Sequence, residues 1–173
     1  MQEQNLNLAQ DELFGVDDEE DTQRNKYLTF HVGTEDYGID IENVSEIIRM
    51  QKIADLPNVP DYVQGVINLR GKVIPVIDMR KKFKLEEREY DDRTCIIVVN
   101  VNNTLVGLIV DSVNEVVDIP KEEIEHPLNT VGQDGNQYIK GFGKIGQEVK
   151  ILLNVEKVLF DSSAVMGQNE ALN

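Results

Sequence analysis

The chain is expected to fold as a mostly-β protein built from two small, similar, strand-rich units. Three observations carry that expectation: short apolar runs with period-two alternation, glycine- and asparagine-containing turns between them, and an internal repeat. The repeat is visible by eye. Gly38-Ile-Asp-Ile-Glu-Asn-Val44-Ser-Glu46-Ile-Ile48 aligns without a gap on Gly107-Leu-Ile-Val-Asp-Ser-Val113-Asn-Glu115-Val-Val117, with glycine, valine and glutamate in register. Further on, Gly65 to Asp78 parallels Gly141 to Asn154 more loosely, and each copy then enters a short helical pattern ending near Phe83 or Phe160. Many short strands joined by such turns point to small barrels, which hide most of their sheet edges.

In chain order, residues 1–26 form an acidic tail with the run Asp17-Asp-Glu-Glu-Asp21 and scattered apolar residues at Leu6, Leu8, Leu13 and Phe14. Its charge and sparse apolar content suit a solvated, disordered segment, with a short partner-binding element around Leu13-Phe14 as the alternative. Order is expected from Tyr27, where Leu28, Phe30 and Val32 alternate with Thr29 and His31 as in a half-buried strand. Gly33 to Asp36 reads as a turn and Tyr37 to Ile41 as the returning strand. Ile41, Val44, Ile47 and Ile48 then fall on one helical face, with Asp40 as N-cap. Pro57 and Pro60 bound an extended link into Gly65-Val-Ile-Asn-Leu-Arg-Gly71-Lys-Val-Ile-Pro-Val-Ile-Asp78, which reads as strand, tight turn, strand. Gly65 and Gly71 mark positive φ or close backbone approach, and Pro75 an edge strand or a bulge. Asp78 is placed to cap a short helix through Phe83, and Lys84 to Arg93 is a charged surface linker. In the second unit Thr94–Val101 and Thr104–Val110 flank Asn102-Asn103, a two-residue hairpin turn. The expected divisions are therefore a tail 1–26, a first barrel subdomain 27–90, a second 91–161, and a flexible tail 162–173.

Composition excludes several classes. The net charge of −15 repels nucleic acid and anionic lipid alike. No apolar run approaches the roughly 18 residues of a membrane span, and no signal-peptide pattern opens the chain. Cys95, the single cysteine, lies in an apolar run where burial keeps a thiol inert. His31 and His126 have no second histidine or cysteine at metal-ligand spacing. No nucleophile elbow surrounds any serine. Gly141-Phe-Gly143-Lys-Ile-Gly146 matches a dinucleotide fingerprint by letter, but a strand pattern rather than a helix follows, so these glycines read as turns. A small-ligand or nucleotide-binding barrel with an anion site at Gly141–Gly146 is the alternative to a pure binding module.

Gly65-Val-Ile-Asn-Leu-Arg-Gly71 followed by Val73-Ile-Pro-Val-Ile-Asp78, with Tyr37 to Ile48 upstream and Val106-Gly-Leu-Ile-Val-Asp-Ser-Val113 downstream, resembles the CheW-like family of bacterial chemotaxis coupling proteins. The resemblance runs from about Tyr27 to Phe160 in the family's order. It implies two five-stranded SH3-like barrels side by side, with no catalysis and no cofactor. It implies a cytoplasmic adaptor, recruited to membrane receptor arrays, that couples the tips of methyl-accepting chemoreceptors to the chemotaxis histidine kinase. That kinase's regulatory domain has the same fold. Carried over residue by residue, the receptor contact comprises Val44, Glu46, Gly65, Asn68, Arg70 and Gly71, and the kinase contact lies near apolar strand ends at Gly107 and Val113. Arg70, beside a glycine at a strand end, is expected to matter for binding and little for folding, with Glu46 close enough to orient it.

Overall fold

The computed structural model describes residues 24–126 and 137–160. A hairpin of β1 (Lys26–Val32) and β2 (Glu35–Asp40) leads through a 3-10 turn at Ile41–Asn43 into β3 (Val44–Arg49). A second hairpin, β4 (Val63–Leu69) and β5 (Lys72–Asp78), runs into helix α1 (Met79–Lys82). The second unit repeats the plan with β6 (Cys95–Val101), β7 (Thr104–Val110), β8 (Ser112–Asp118), the short β9 (Ile124–Glu125), β10 (Ile139–Ile145), β11 (Glu148–Leu153) and helix α2 (Val155–Leu159).

Local chemistry explains most of these elements. Asn102 (φ 53°) and Asn103 (φ 62°) make the expected two-residue turn, and Arg70 (φ 51°) with Gly71 (φ 87°) makes its counterpart between β4 and β5. The Asp78 carboxylate accepts from the backbone N–H of Arg80 (2.9 Å) and Lys81 (3.3 Å), starting α1 where a cap was expected. Asn154 plays the same part for α2 through Lys157 N–H, 3.2 Å.

The helix expected over Ile41 to Ile48 is instead one 3-10 turn followed by a strand. Its apolar spacing fits both periods over so short a run, and the β-branched Val44, Ile47 and Ile48 favour extended backbone. Asp40 makes no side-chain cap, and Ile47, placed inward on the helical reading, points outward and is 45 % exposed. Pro75 also departs from expectation. It sits in β5, an interior strand between β4 and β7, where the parallel ladder to β7 begins only at Val76. The glycines of the letter-matched fingerprint differ among themselves. Gly146 turns with φ 61°, but Gly141 and Gly143 lie within β10, where a Cβ would fall 2.7 Å from Ile124 and 2.6 Å from Ile119. They are packing glycines.

The two sheets have equivalent orders, β8-β1-β2-β11-β10-β9 and β3-β6-β7-β5-β4. Ala54, bridged to Val66, stands in the second sheet where β9 stands in the first. The duplication is therefore real at the level of topology, and the first sheet carries the two-residue β9 as a sixth strand. The contiguous division at 90/91 does not describe the barrels, however. Hairpin β1–β2 is inserted between β8 and β11 of the second unit, and hairpin β6–β7 between β3 and β5 of the first. Each unit lends its leading hairpin to the other. Without an inserted hairpin, β3 and β5 would each lose a hydrogen-bonded neighbour and leave an unpaired edge.

Alternation along each strand sorts side chains into three cores. Ile96 and Val98 of β6 face the interior of the β3–β7 barrel with Ile67, Ile74, Val76 and Ile109. Ile97, Val99 and Val101 face the other way and join Leu28, Phe30, Val32, Ile39, Val106, Leu108 and Val110 in a core drawn from both sheets. The other barrel's own cluster is small: Tyr27, Ile119 and Leu152. Polar residues replace apolar ones there. Lys150 pairs with Gly143 as Ile74 pairs with Ile67, and Thr29 pairs with Gly38 as Val98 pairs with Gly107.

Lys150 is 5 % exposed, with its ammonium 2.7 Å from Asp36 and 2.9 Å from Glu148. Burial works against the Asp36 charge, but hydrogen bonds from His31, Lys150 and Asn114 and the lysine's charge hold its pKa down to about 2, from 3.8. A carboxylate with a depressed folded pKa binds fewer protons folded than unfolded, so its stabilisation is present above 3.8 and is lost as pH falls through about 2. Thermal melting across an acid series is expected to show this loss, and Lys150→Met to move it to higher pH. Superimposable acid limbs would show that the lysine does not hold the carboxylate ionised.

Candidate partner-docking site

Four of the six residues expected at the receptor contact converge on the tip of hairpin β4–β5. The Asn68 side-chain oxygen accepts from Gly71 N–H at 2.8 Å, tightening the Arg70-Gly71 turn. Positive φ at Arg70 swings its side chain off the hairpin end, and its Nη2 donates to a Glu46 carboxylate oxygen on β3. A bulge aims Glu46: Val44 faces Val99 and Glu46 faces Val98, leaving Ser45 as the extra residue. The pair is asymmetric in exposure, with the arginine side chain 72 % accessible and the glutamate 26 %. Glu46 raises the guanidinium's pKa through its hydrogen bond and charge, so the arginine remains a cation that presents its remaining donors outward.

The other two expected residues do different work. Val44 is half-buried and packs on the shared core. Gly65 is buried, with φ 145°, and a Cβ there would stand 2.0 Å from the Ala54 carbonyl oxygen. Its missing side chain lets the segment after β3 press against β4, where Ala54 and Val66 exchange two backbone hydrogen bonds of 2.9 Å. The result is a shallow groove of about 380 Å³ lined by Gln51, Lys52, Ala54, Val66, Ile67, Asn68 and Val73.

The residues expected at the kinase contact are not apolar strand ends on the surface. Gly107 is buried mid-strand, where a Cβ would meet Ile96 and Val76 side chains at 2.7 Å. Val113 is half-buried, opposite Phe30, and packs on the shared core. Exposed apolar residues lie elsewhere, and they were missed in the sequence. Ile47 flanks Glu46, and Val73, paired with Asn68, is 69 % exposed. Each has an exposed counterpart in the other barrel, Val116 for Ile47 and Val149 for Val73. The ungapped repeat alignment already matched Ile47 to Val116. Reading β3 as a helix hid that both side chains face outward.

Among the described residues no group of His, Cys, Asp and Glu is arranged to hold a metal ion. The Cys95 thiol is half-buried and burial pushes its pKa up, away from the reactive thiolate. His31 is engaged with Asp36 at 2.8 Å. No helix of the described residues is long and apolar enough to cross a membrane.

Comparison with known proteins gives one consistent result. Residues 26–162 match the CheW-like domain model. The chain is 35 % identical to the chemotaxis protein CheW of Klebsiella aerogenes over 151 residues, covering 87 % of this chain and 91 % of the relative. It is 36 % identical to that of Bacillus subtilis over 146 residues, 84 % of this chain and 89 % of the relative. The crystal structure of scaffolding protein TtCheW from Thermoanaerobacter tengcongensis superposes with a TM-score of 0.73 at 34 % identity, covering 79 % of this chain and 92 % of that one. Double-barrel topology, sequence and structural neighbour agree: the chain belongs to the CheW-like domain family and is a coupling scaffold of the chemotaxis class.

Proposed function

We propose that the protein is a non-catalytic adaptor that couples the cytoplasmic tips of methyl-accepting chemoreceptors to the chemotaxis histidine kinase. It would work in the cytoplasm, recruited to receptor arrays at the membrane. The observation that carries this reading is the Glu46–Arg70 pair, which ties β3 to the tip of hairpin β4–β5 with the arginine exposed, near the outward apolar side chains of Ile47 and Val73. A receptor tip is a helical hairpin, and a helix docks through apolar anchors at spaced positions with polar groups at the rim. Arginine's planar fork suits a receptor carboxylate or the carbonyls of a helix end in a way that lysine does not. The assigned contact set is Glu46, Asn68, Arg70 and Gly71 directly, with Val44 and Gly65 acting through the backbone they position. The kinase contact is not assigned to Gly107 or Val113 themselves, whose side-chain positions are turned inward. An anion site at Gly141–Gly146 gains no support, because two of its glycines are filled against isoleucines.

Arg70→Ala is expected to leave the melting temperature unchanged within error, since the side chain is largely in solvent. Receptor affinity should fall by roughly tenfold or more, as for an interface hot spot. Kinase affinity should be retained. Calorimetry of the variant against receptor and kinase fragments separately checks this, and equal losses to both would make Arg70 a structural residue. Reconstitution of receptor, kinase and this protein tests the function itself: kinase autophosphorylation indifferent to the protein would sink the coupling reading.

A further inference from the structure

The groove beside Arg70 differs in charge from the rest of this acidic chain. Lys52 lines it, Lys72 precedes the lining Val73, and Arg49 lies two residues before the lining Gln51; all three are exposed. None of the three pairs with an acidic group among the described residues. No acidic residue lines the groove; Asp55 follows the lining Ala54 in sequence, and Glu46 is engaged by Arg70. The floor is apolar, formed by Ala54, Val66, Ile67 and Val73. An occupant should therefore be a short segment with one or two large apolar side chains set among carboxylates.

Such a segment stands in the same chain. Residues 1–23 hold eight Asp and Glu and no Lys or Arg, and Leu13-Phe14 lies between Asp11-Glu12 and the run Asp17–Asp21. Reach is sufficient. The eleven residues from Leu13 to Arg24 span up to ~36 Å when extended. A body of this size has a radius of gyration of about 14 Å. We propose that residues 11–18 dock on the groove in cis, with Leu13 and Phe14 on Val66, Ile67 and Val73 and the flanking carboxylates facing Arg49, Lys52 and Lys72. Docking stands independently of the receptor assignment.

The test is amide NMR on the full-length chain and on a Leu13→Ser/Phe14→Ser variant of it. At low ionic strength the amides of Ala54, Val66, Ile67, Asn68 and Val73 are expected to differ between the two chains. In about 1 M salt, where the Debye length is about 3 Å, the difference should shrink several-fold. Val73→Glu, on an exposed site that tolerates the change, should return the Leu13 and Phe14 amides to unstructured positions. Identical groove amides in the two chains would overturn the proposal. Differences confined to another face would do so as well. Differences that grow with protein concentration would also overturn it, by giving the groove to the tail of a second copy.

Discussion

Fragments 1–90 and 91–173 are expected to be unfolded when separate and to assemble when mixed. The cut falls in the exposed charged linker, so no strand is severed. What fails is pairing between units. Without β6 and β7, β3 loses its ladder from Val44 to Arg49 and β5 loses its parallel neighbour. Without β1 and β2, β8 and β11 lose theirs. The shared core also splits, since Leu28, Phe30 and Ile39 come from one fragment and Ile97, Val99 and Leu108 from the other. Units of about 60 residues are marginal even with a complete core, and these would have fragments of one. Far-UV circular dichroism of each fragment and of the equimolar mixture checks the expectation. A cooperative melt from either fragment alone would show that the units close on themselves. A chain nicked by protease in the linker should, by contrast, stay native.

Gly65→Ala is expected to cost about 2–5 kcal/mol, from backbone strain and from the loss of the Ala54–Val66 hydrogen bonds. The new methyl would sit 2.0 Å from the Ala54 carbonyl oxygen and 2.8 Å from its carbon, both backbone atoms with no rotamer to yield. The melting temperature should fall by roughly 4–20 °C for a chain of this size. Gly71→Ala supplies the control. It has a positive φ but nothing within 4 Å of its Cβ, so only the left-handed conformation is charged against it, about 1–2 kcal/mol. Equal losses at the two sites would show that close approach is not what Gly65 permits. Lost receptor binding in Gly65→Ala should accompany displacement of residues 51–54, an indirect effect that amide shifts would register.

These glycines mark how far the sequence could be read. A positive-φ turn at Gly71 and close approach at Gly65 follow from residue type and neighbours, and both are present. So do the asparagine turn and the Asp78 cap, because each depends on contacts within a few residues; β1 is a strand as read, but it is not half-buried, since Tyr27 and Thr29 are buried along with Leu28, Phe30 and Val32. Gly141 and Gly143 were misread as turns because the isoleucines they accommodate, Ile119 and Ile124, are about twenty residues away. Hairpin exchange was illegible for a deeper reason. β6 alternates in the same way whichever unit receives it, so nothing in its own residues says whether it pairs with β3 or with a strand of its own copy. For the site, the proximity of Glu46 to Arg70 was anticipated, and the hairpin tip confirms it. Ile47 and Val73 were missed because an outward apolar residue is visible only once the strand's facing is known.

The exchange also sets an order of events during synthesis. β3 to β7 form a barrel that is complete once Val110 has been made. The strands made first must wait longer. β1 needs β8, and Tyr37 of β2 pairs with Ile151, 114 residues later. At translation rates of about 5–20 residues per second, that gap lasts about 6–23 s. Until β8 is made the leading hairpin keeps both edges unpaired, and the edge of β2 stays open until β11 follows, a pairing among the most distant in the chain, the kind that slows folding. Premature termination anywhere before Leu153 would therefore show its damage at the opposite end, leaving the first strand translated without a finished barrel to enter.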